Sequence, residues 1–301
     1  MIGFIVNPVS GNGRGAKVWQ AIEERLKERQ VSYLVKMTGE RGEAERLAAE
    51  IVRQNGITLV VAVGGDGTVH EVVNGLVQAN TACMFSHIPT GSGNDFSRAY
   101  NLSLDPQQAM ETVLAHASTK VIDLLQINHR IAVNAIGAGF DGQVAKTTNE
   151  AGYKKFFNRI KLGPFAYILS VIRVLFSYQP SDVTLEVDGT AHRLSNVWLI
   201  AIANIPNYGG GMMICPQAVP DDGIAEVCVV SNISRLSLLT TFPKIFTGAH
   251  VTHPAVRFYR GKRITVSSVR TLVVHADGEV VAKTPITVEV VPKKQRIVVN
   301  E

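Results

Sequence analysis

The rhythm of hydrophobic and polar positions changes once along this chain, near Val121, and the change predicts two different architectures in tandem. In the first stretch, short apolar runs alternate with amphipathic segments. Residues 2–6 form a continuous apolar run, followed by a loop rich in Gly, Ser and Asn over residues 7–15. A helix follows, with Val18, Ile22 and Leu26 on one stripe and Glu23, Lys27 and Glu28 off it. Residues 32–36 read as a strand, and after Thr38 the residues Ala44, Leu47, Ala48 and Ile51 recur at helical spacing. Residues 58–63 are an unbroken run of the kind a strand buried on both faces needs. That run leads into a glycine loop and a helix around residues 69–77. Residues 84–88 repeat the theme and end in Pro89-Thr90-Gly91-Ser92-Gly93-Asn94-Asp95. Such alternation predicts a doubly wound, Rossmann-like α/β domain over residues 1–126, with ligands at the loops leaving the strand C-termini.

Beyond Val121 the period shortens to two. Val183, Leu185 and Val187 alternate with Thr184 and Glu186, and Asp188-Gly189 supplies a turn before residues 191–194, a hairpin signal. Residues 197–203, 224–230, 263–267, 271–275 and 286–290 read as further short strands, punctuated by Asp222-Gly223 and Asp277-Gly278. The expectation is a mainly antiparallel β-sandwich over residues 127–290, with a helical insertion around residues 149–178. Residues 291–301 are expected to return to the first domain.

Composition narrows the class. The 301 residues are 46% hydrophobic and 18% charged, enough for two cores and too apolar for disorder. A net charge of +5 and a pI of about 9.1 suit anionic partners such as nucleotides or acidic membrane surfaces. No Lys/Arg stripe or aromatic-basic module points to nucleic acid. Cys83, Cys215 and Cys228 have neither zinc nor disulfide-framework spacing and fit a reducing, cytoplasmic setting. The most apolar stretch, residues 165–178, is too short to span a bilayer and contains Arg173. It reads as a core or partner-facing helix, or as one lying on a membrane surface. No signal-peptide pattern follows Met1.

The chemistry-bearing candidates are loops. There is no Walker-type lysine loop, no protein-kinase signature set, no dinucleotide fingerprint in Gly11-Asn12-Gly13-Arg14-Gly15 and no zinc-protease helix motif. Gly64-Gly65-Asp66-Gly67-Thr68 lies between a predicted strand and a predicted helix. Its glycines let backbone N–H groups approach a polyphosphate, and a helix N-terminus adds favourable partial charge. Asp66 would repel phosphate without an intervening cation, which suggests Mg²⁺; a plain glycine turn capped by Asp66 is the alternative. Residues 90–95 and Asn7-Pro8-Val9-Ser10-Gly11 are two more such loops, and three at one sheet edge suit a nucleotide.

These residues, in this order, resemble the bacterial diacylglycerol kinase family, whose catalytic core is shared with sphingosine and ceramide kinases. The likeness rests on Asn7-Pro8-x-Ser10-Gly11, Gly64-Gly65-Asp66-Gly67-Thr68-x-x-Glu71-Val72-x-Asn74-Gly75 and Pro89-x-Gly91-x-Gly93-Asn94-Asp95-Phe96. Farther along come Asp123, Gly137-x-Gly139-Phe140-Asp141, Pro216-x-Ala218-x-x-x-Asp222-Gly223 and Asp277-Gly278-Glu279. The resemblance implies an ATP-dependent lipid kinase acting on diacylglycerol or a related lipid alcohol at the inner face of the membrane, peripheral rather than spanning. It implies an ATP site lined by Asn7, Pro8, Ser10, Gly11, Thr38, Gly64, Gly65, Asp66, Gly67, Thr68, Val69, His70, Gly91, Ser92, Asn94 and Asp95. Ser92 replaces the Thr of many members and keeps the hydroxyl. Glu279 matches the base that deprotonates the acceptor, and Asp66 would act through the catalytic Mg²⁺. Asp222, with main-chain carbonyls at Val219 and Ile224, matches a second, structural Mg²⁺ site, and Asp123 a network linking the two ions. His275 is given no role. A homodimer is compatible with the family. An NAD kinase, which shares the Gly-Gly-Asp-Gly-Thr loop, and a non-catalytic nucleotide- or lipid-sensing module are the alternatives.

Overall fold

Ile2, Phe4, Ile5 and Val6 are all buried, which requires apolar neighbours on both faces of the strand they form, β1 (Ile2–Val6). The computed structural model describes residues 1–54, 56–116, 118–150 and 171–300 and supplies those neighbours from helices. The chain divides into two units, Met1–Asp123 with Pro292–Glu301, and Leu124–Val291.

In the first unit, β1 is followed by α1 (Ser10–Glu28), β2 (Tyr33–Met37), α2 (Glu43–Ile51), β3 (Leu59–Gly64), α3 (Asp66–Gln78) and β4 (Met84–Pro89). Then come α4 (Asp95–Ala99), α5 (Pro106–Ala115) and β5 (Ser118–Ile127), which carries the chain past the unit boundary. The strands are parallel in the order β2-β1-β3-β4, and the end of the chain's last strand joins beside β4 through Ile297 and Phe85. Phe4 and Val6 on one face pack with Trp19, Ile22 and Leu26 of α1 and Met110 and Val113 of α5. On the other face, a Cβ at Gly3 would lie 3.0 Å from Ile51 of α2.

Two residues of the long glycine motif explain how α2 and α3 fit together. Glu71 of α3 accepts the Gly42 and Ala44 N–H groups at 2.9 and 3.1 Å, satisfying donors that the start of α2 leaves open. Gly75 sits where any side chain would meet the Glu45 carbonyl at 2.2 Å. The expected helix around residues 69–77 is therefore longer than its apolar stripe, beginning at Asp66 directly after the glycines.

The second unit is antiparallel. It contains β6 (Arg130–Ala132), β7 (Ala135–Gly139), α6 (Phe140–Glu150), β8 (Ser181–Val187), β9 (Thr190–Ala203), β10 (Ala225–Ser231), β11 (Val256–Gly261), β12 (Arg263–Ser268), β13 (Val273–Ala276), β14 (Glu279–Lys283) and β15 (Ile286–Val299). Residues 191–194 and 197–203, expected as separate strands, are one strand: Asn196 takes a left-handed φ of 50° and the chain passes through the kink. The front half of β9 pairs with β8, which continues to β12 and β15; its rear half lies between β7 and β10. Leu185, Val187, Ile264 and Val288 from the first set share one core with Ile136, Ile200, Ile202, Val227 and Val274 from the second, so the unit is a sandwich. Residues 151–170 of the expected helical insertion lie outside the described residues; α6 precedes them and residues 171–177 are helical. Among the described residues, no helix is long and apolar enough to cross a membrane.

Candidate active site

Each candidate loop of the first unit starts where a parallel strand ends, and the sheet register brings the ends level. Val6 is paired with Val63, and Gly64 with Pro89. Backbone bonds extend the pairing into the loops: Asn7 N–H donates to Val63 O at 2.9 Å and Thr90 N–H to Gly64 O at 2.7 Å.

From there the three loops lock together. Asn7 Nδ2 donates to Thr68 Oγ1 at 3.2 Å, tying the first loop to the second. Ser10 Oγ bonds the Asn7 carbonyl at 2.8 Å and also the Thr90 hydroxyl, tying the first loop to the third. A Cβ at Gly11 would lie 2.0 Å from Thr90 O, and one at Gly91 would lie 2.7 Å from Gly65 Cα. Gly11, Asn12 and Gly13 all have left-handed φ, at 56°, 59° and 86°, so regular helix begins only after them. The glycines are thus required by backbone lying against backbone.

Asp66 occupies the first turn of α3, yet it does not cap that helix. Its carboxylate accepts the Asn94 and Phe96 N–H groups at 2.7 and 3.4 Å, and so fastens the third loop to the second. Asn94, at a left-handed φ of 54°, folds its amide back onto Gly91, donating to its carbonyl at 3.0 Å and accepting its N–H at 3.1 Å. Removal from water, and then the neighbouring Asp95 carboxylate, raise the Asp66 pKa from 3.8 to about 6 against the pull of the backbone donors. Two close carboxylates, one of them strained toward its neutral form, are a donor set that a divalent cation relieves. The residues present fit Mg²⁺ at Asp66.

The other expected site residues of this unit fall into two groups. Pro8, Gly67 and the exposed Ser92 lie on the loops themselves. Thr38 is buried beyond β2, bonded through its N–H to Val6 O at 2.9 Å. Val69 and His70 are in α3 with buried side chains, so they would meet a ligand only through the backbone. Asp123 is fully buried and accepts the Lys293 N–H at 2.7 Å, anchoring the returning end of the chain.

Sequence reasoning passed over His87. It is fully buried on β4, with Nδ1 at 2.8 Å from Ser97 Oγ and Nε2 at 3.1 Å from Gly64 O. Burial depresses its pKa from 6.5 to about 4, so the ring is neutral and donates through Nε2. Its only signal in the sequence is the polar pair Ser86-His87 inside an otherwise apolar run.

In the second unit, Asp277 and Gly278 have φ of 50° and 86°, the two-residue hairpin turn their identities favour, and Glu279 opens β14. The Asp277 carboxylate accepts the N–H groups of Val133, Asn134 and Ala135 at 2.8, 2.8 and 3.1 Å. Asp222 accepts the Ile224 N–H at 3.0 Å and pairs with Arg260 at 2.7 Å. Both its oxygens are engaged and its charge is met by a guanidinium. The expected second cation site, Asp222 with the carbonyls of Val219 and Ile224, therefore has its carboxylate paired with Arg260; among the described residues no group of three or more His, Cys, Asp or Glu is placed to hold a metal ion, here or at Asp66.

Interlocked glycine loops at the ends of a parallel sheet, followed along the chain by an antiparallel sandwich, define a two-unit protein with an α/β first unit and a β-sandwich second unit. Residues 1–127 match the diacylglycerol kinase catalytic domain, and residues 134–299 match the YegS C-terminal NAD kinase beta sandwich-like domain. A diacylglycerol kinase of Mycobacterium tuberculosis (strain ATCC 25618 / H37Rv) is 32% identical over 290 residues, 96% of this chain and 91% of that protein. One from Staphylococcus aureus (strain MRSA252) is 30% identical over 284 residues, 94% of this chain and 87% of that protein. A solved structure from Bacillus anthracis str. Sterne superposes with a TM-score of 0.83 at 24% identity, covering 99% of this chain and 95% of that one, a likeness of fold. The chain belongs to the diacylglycerol kinase family.

Proposed function

We propose that the protein transfers the γ-phosphate of ATP to the hydroxyl of diacylglycerol or a related lipid alcohol. The observation that carries this reading is the interlock of the Asn7–Ser10, Gly64–Thr68 and Thr90–Asn94 segments, a rigid set of glycine backbones at strand ends. Phosphoryl transfer asks a protein mainly for positioning and charge compensation. Glycine-loop N–H groups would do the positioning, and Asp66 with Asp95 would hold the cation. Mg²⁺, when bound, supplies neutralisation of the phosphate charge. The acceptor oxygen bonds to the γ-phosphorus as the bond from phosphorus to the β,γ-bridging oxygen breaks; Glu279 takes the hydroxyl proton and ADP leaves.

Peripheral action at the cytoplasmic face of a membrane belongs to the same proposal. Leu236, Leu239 and Phe246 are exposed, and residues 232–255 contain Arg235 and Lys244 but no Asp or Glu, a composition that supports contact with an anionic surface. The test incubates the protein with labelled ATP, Mg²⁺ and mixed-micelle diacylglycerol, beside Glu279→Gln. Lipid phosphorylation that the variant loses is expected; equal turnover by the variant removes Glu279 from its role. The NAD kinase-like sandwich motivates one parallel reaction with NAD, where NADP formation would favour that reading instead.

A further inference from the structure

Behind the turn that presents Glu279 lies a buried polar chain. Tyr208, in the segment after β9, donates its hydroxyl to Asp141 Oδ2 at 2.7 Å. His275 of β13 places Nε2 2.8 Å from the same oxygen. Its other nitrogen, Nδ1, accepts the Gly278 N–H at 3.1 Å. A backbone N–H can only donate, so Nδ1 carries no proton, and the ring's proton sits on Nε2, where it donates to Asp141. The tautomer is therefore fixed by geometry. Gly278 is gripped on its other side too, since Asn149 of α6 donates to its carbonyl at 3.0 Å.

The backbone has made room for this chain. Gly137 of β7 is paired with His275 across the sheet, and a Cβ there would lie 2.2 Å from His275 Nε2 and 2.4 Å from Asp141 Oδ2. The Gly137-x-Gly139-Phe140-Asp141 motif, unexplained by phosphate binding, is the housing of the pair.

We propose that His275, oriented by Asp141 and Tyr208, is a positioning residue that fixes the Asp277–Gly278 turn and through it the Glu279 carboxylate. The inference rests on the reading of Glu279 as the base. Among the described residues, the titratable groups acting on the ring are Asp141 from α6, Tyr208, which shares the Asp141 oxygen, and Asp277 of its own turn. Burial lowers the His275 pKa, and Asp141 more than offsets it, leaving it raised. As pH falls through that raised value, a second proton enters Nδ1, opposes the Gly278 N–H and releases the turn.

The experiment measures kcat and KM against pH for the wild type, His275→Phe, His275→Asn, Asn149→Ala and Glu279→Gln, with ATP and micellar diacylglycerol. Phe removes the acceptor. Asn puts Oδ1 close to the place of Nδ1 and does not titrate. His275→Phe should lower kcat roughly 30- to 100-fold, the scale of a misplacement near 1 Å, with KM for ATP unchanged. His275→Asn should recover most of that loss and lack the wild type's decline in acid. If His275→Phe does not fold, Asn149→Ala carries the test and should lower kcat while sparing KM for ATP. Wild-type kcat in whichever of His275→Phe and Asn149→Ala is folded, or His275→Asn with the wild-type acid limb, overturns the inference while an inactive Glu279→Gln leaves the base assignment standing. A fully active Glu279→Gln overturns both.

Discussion

Acid should loosen the interlocked glycine loops through one buried group, His87. The ring is enclosed between Gly64 O and Ser97 Oγ, and burial carries its pKa from 6.5 down to about 4. In the unfolded chain the same ring titrates near 6.5, so between these values the unfolded chain holds a proton that the folded chain refuses. The stability this group contributes is therefore complete above pH 6.5 and is lost as pH falls toward 4. The depression corresponds to about 3 kcal/mol in full, of which most is gone by about pH 4.5. His87→Gln retains a donor for Gly64 but cannot titrate. The assay is urea unfolding at a series of pH values in a Trp198→Phe background, where Trp19 alone reports the first unit. Asp66 and every other group titrate in both proteins and cancel in the difference. The wild type should lose about 2–3 kcal/mol more than His87→Gln between about pH 7 and 4.5. Parallel curves would refute the claim that a neutral, buried His87 supports the loops.

The other predictions follow from single contacts. Gly91→Ala sets a Cβ against Gly65 Cα, backbone that cannot rotate aside, so it should cost about 1–3 kcal/mol and raise KM for ATP, read by thermal melting and steady-state kinetics. Asp277→Ala leaves three N–H groups without their acceptor and should destabilise the second unit by about 3 kcal/mol or more, read by denaturant unfolding. Asp222→Asn breaks only a half-exposed pair with Arg260 and should change stability by less than about 1 kcal/mol, equally with and without Mg²⁺; a loss seen only with Mg²⁺ would restore a cation to that turn.

The first unit is legible because its elements obey one period each: β1, α2, β3 and β4 fall within a residue or so of their apolar runs. The loops were legible as phosphate candidates for the same reason, since glycine has few other uses between a buried strand and a helix. What the glycines do was not legible. Gly11 against Thr90 and Gly91 against Gly65 are contacts between segments 26 to 79 residues apart, and Asp66 spends its carboxylate on α4, thirty positions downstream. β7 was invisible because Ala135-Ile136-Gly137-Ala138-Gly139 has one branched residue, Ile136, among small ones, and Gly137 is small to seat His275 and Asp141. The partner of Asp222 was equally hidden: Arg260, distant in sequence and adjacent through β11, pairs with the carboxylate that the family resemblance links to a cation.

The central claim, phosphoryl transfer from ATP to a lipid hydroxyl, is tested most directly by mass spectrometry of a total lipid extract incubated with the protein, Mg²⁺ and γ-labelled ATP. The account predicts label in a phosphorylated lipid alcohol, absent when Glu279→Gln replaces the wild type. Label confined to NADP or to free phosphate, with every lipid unmodified, would contradict it.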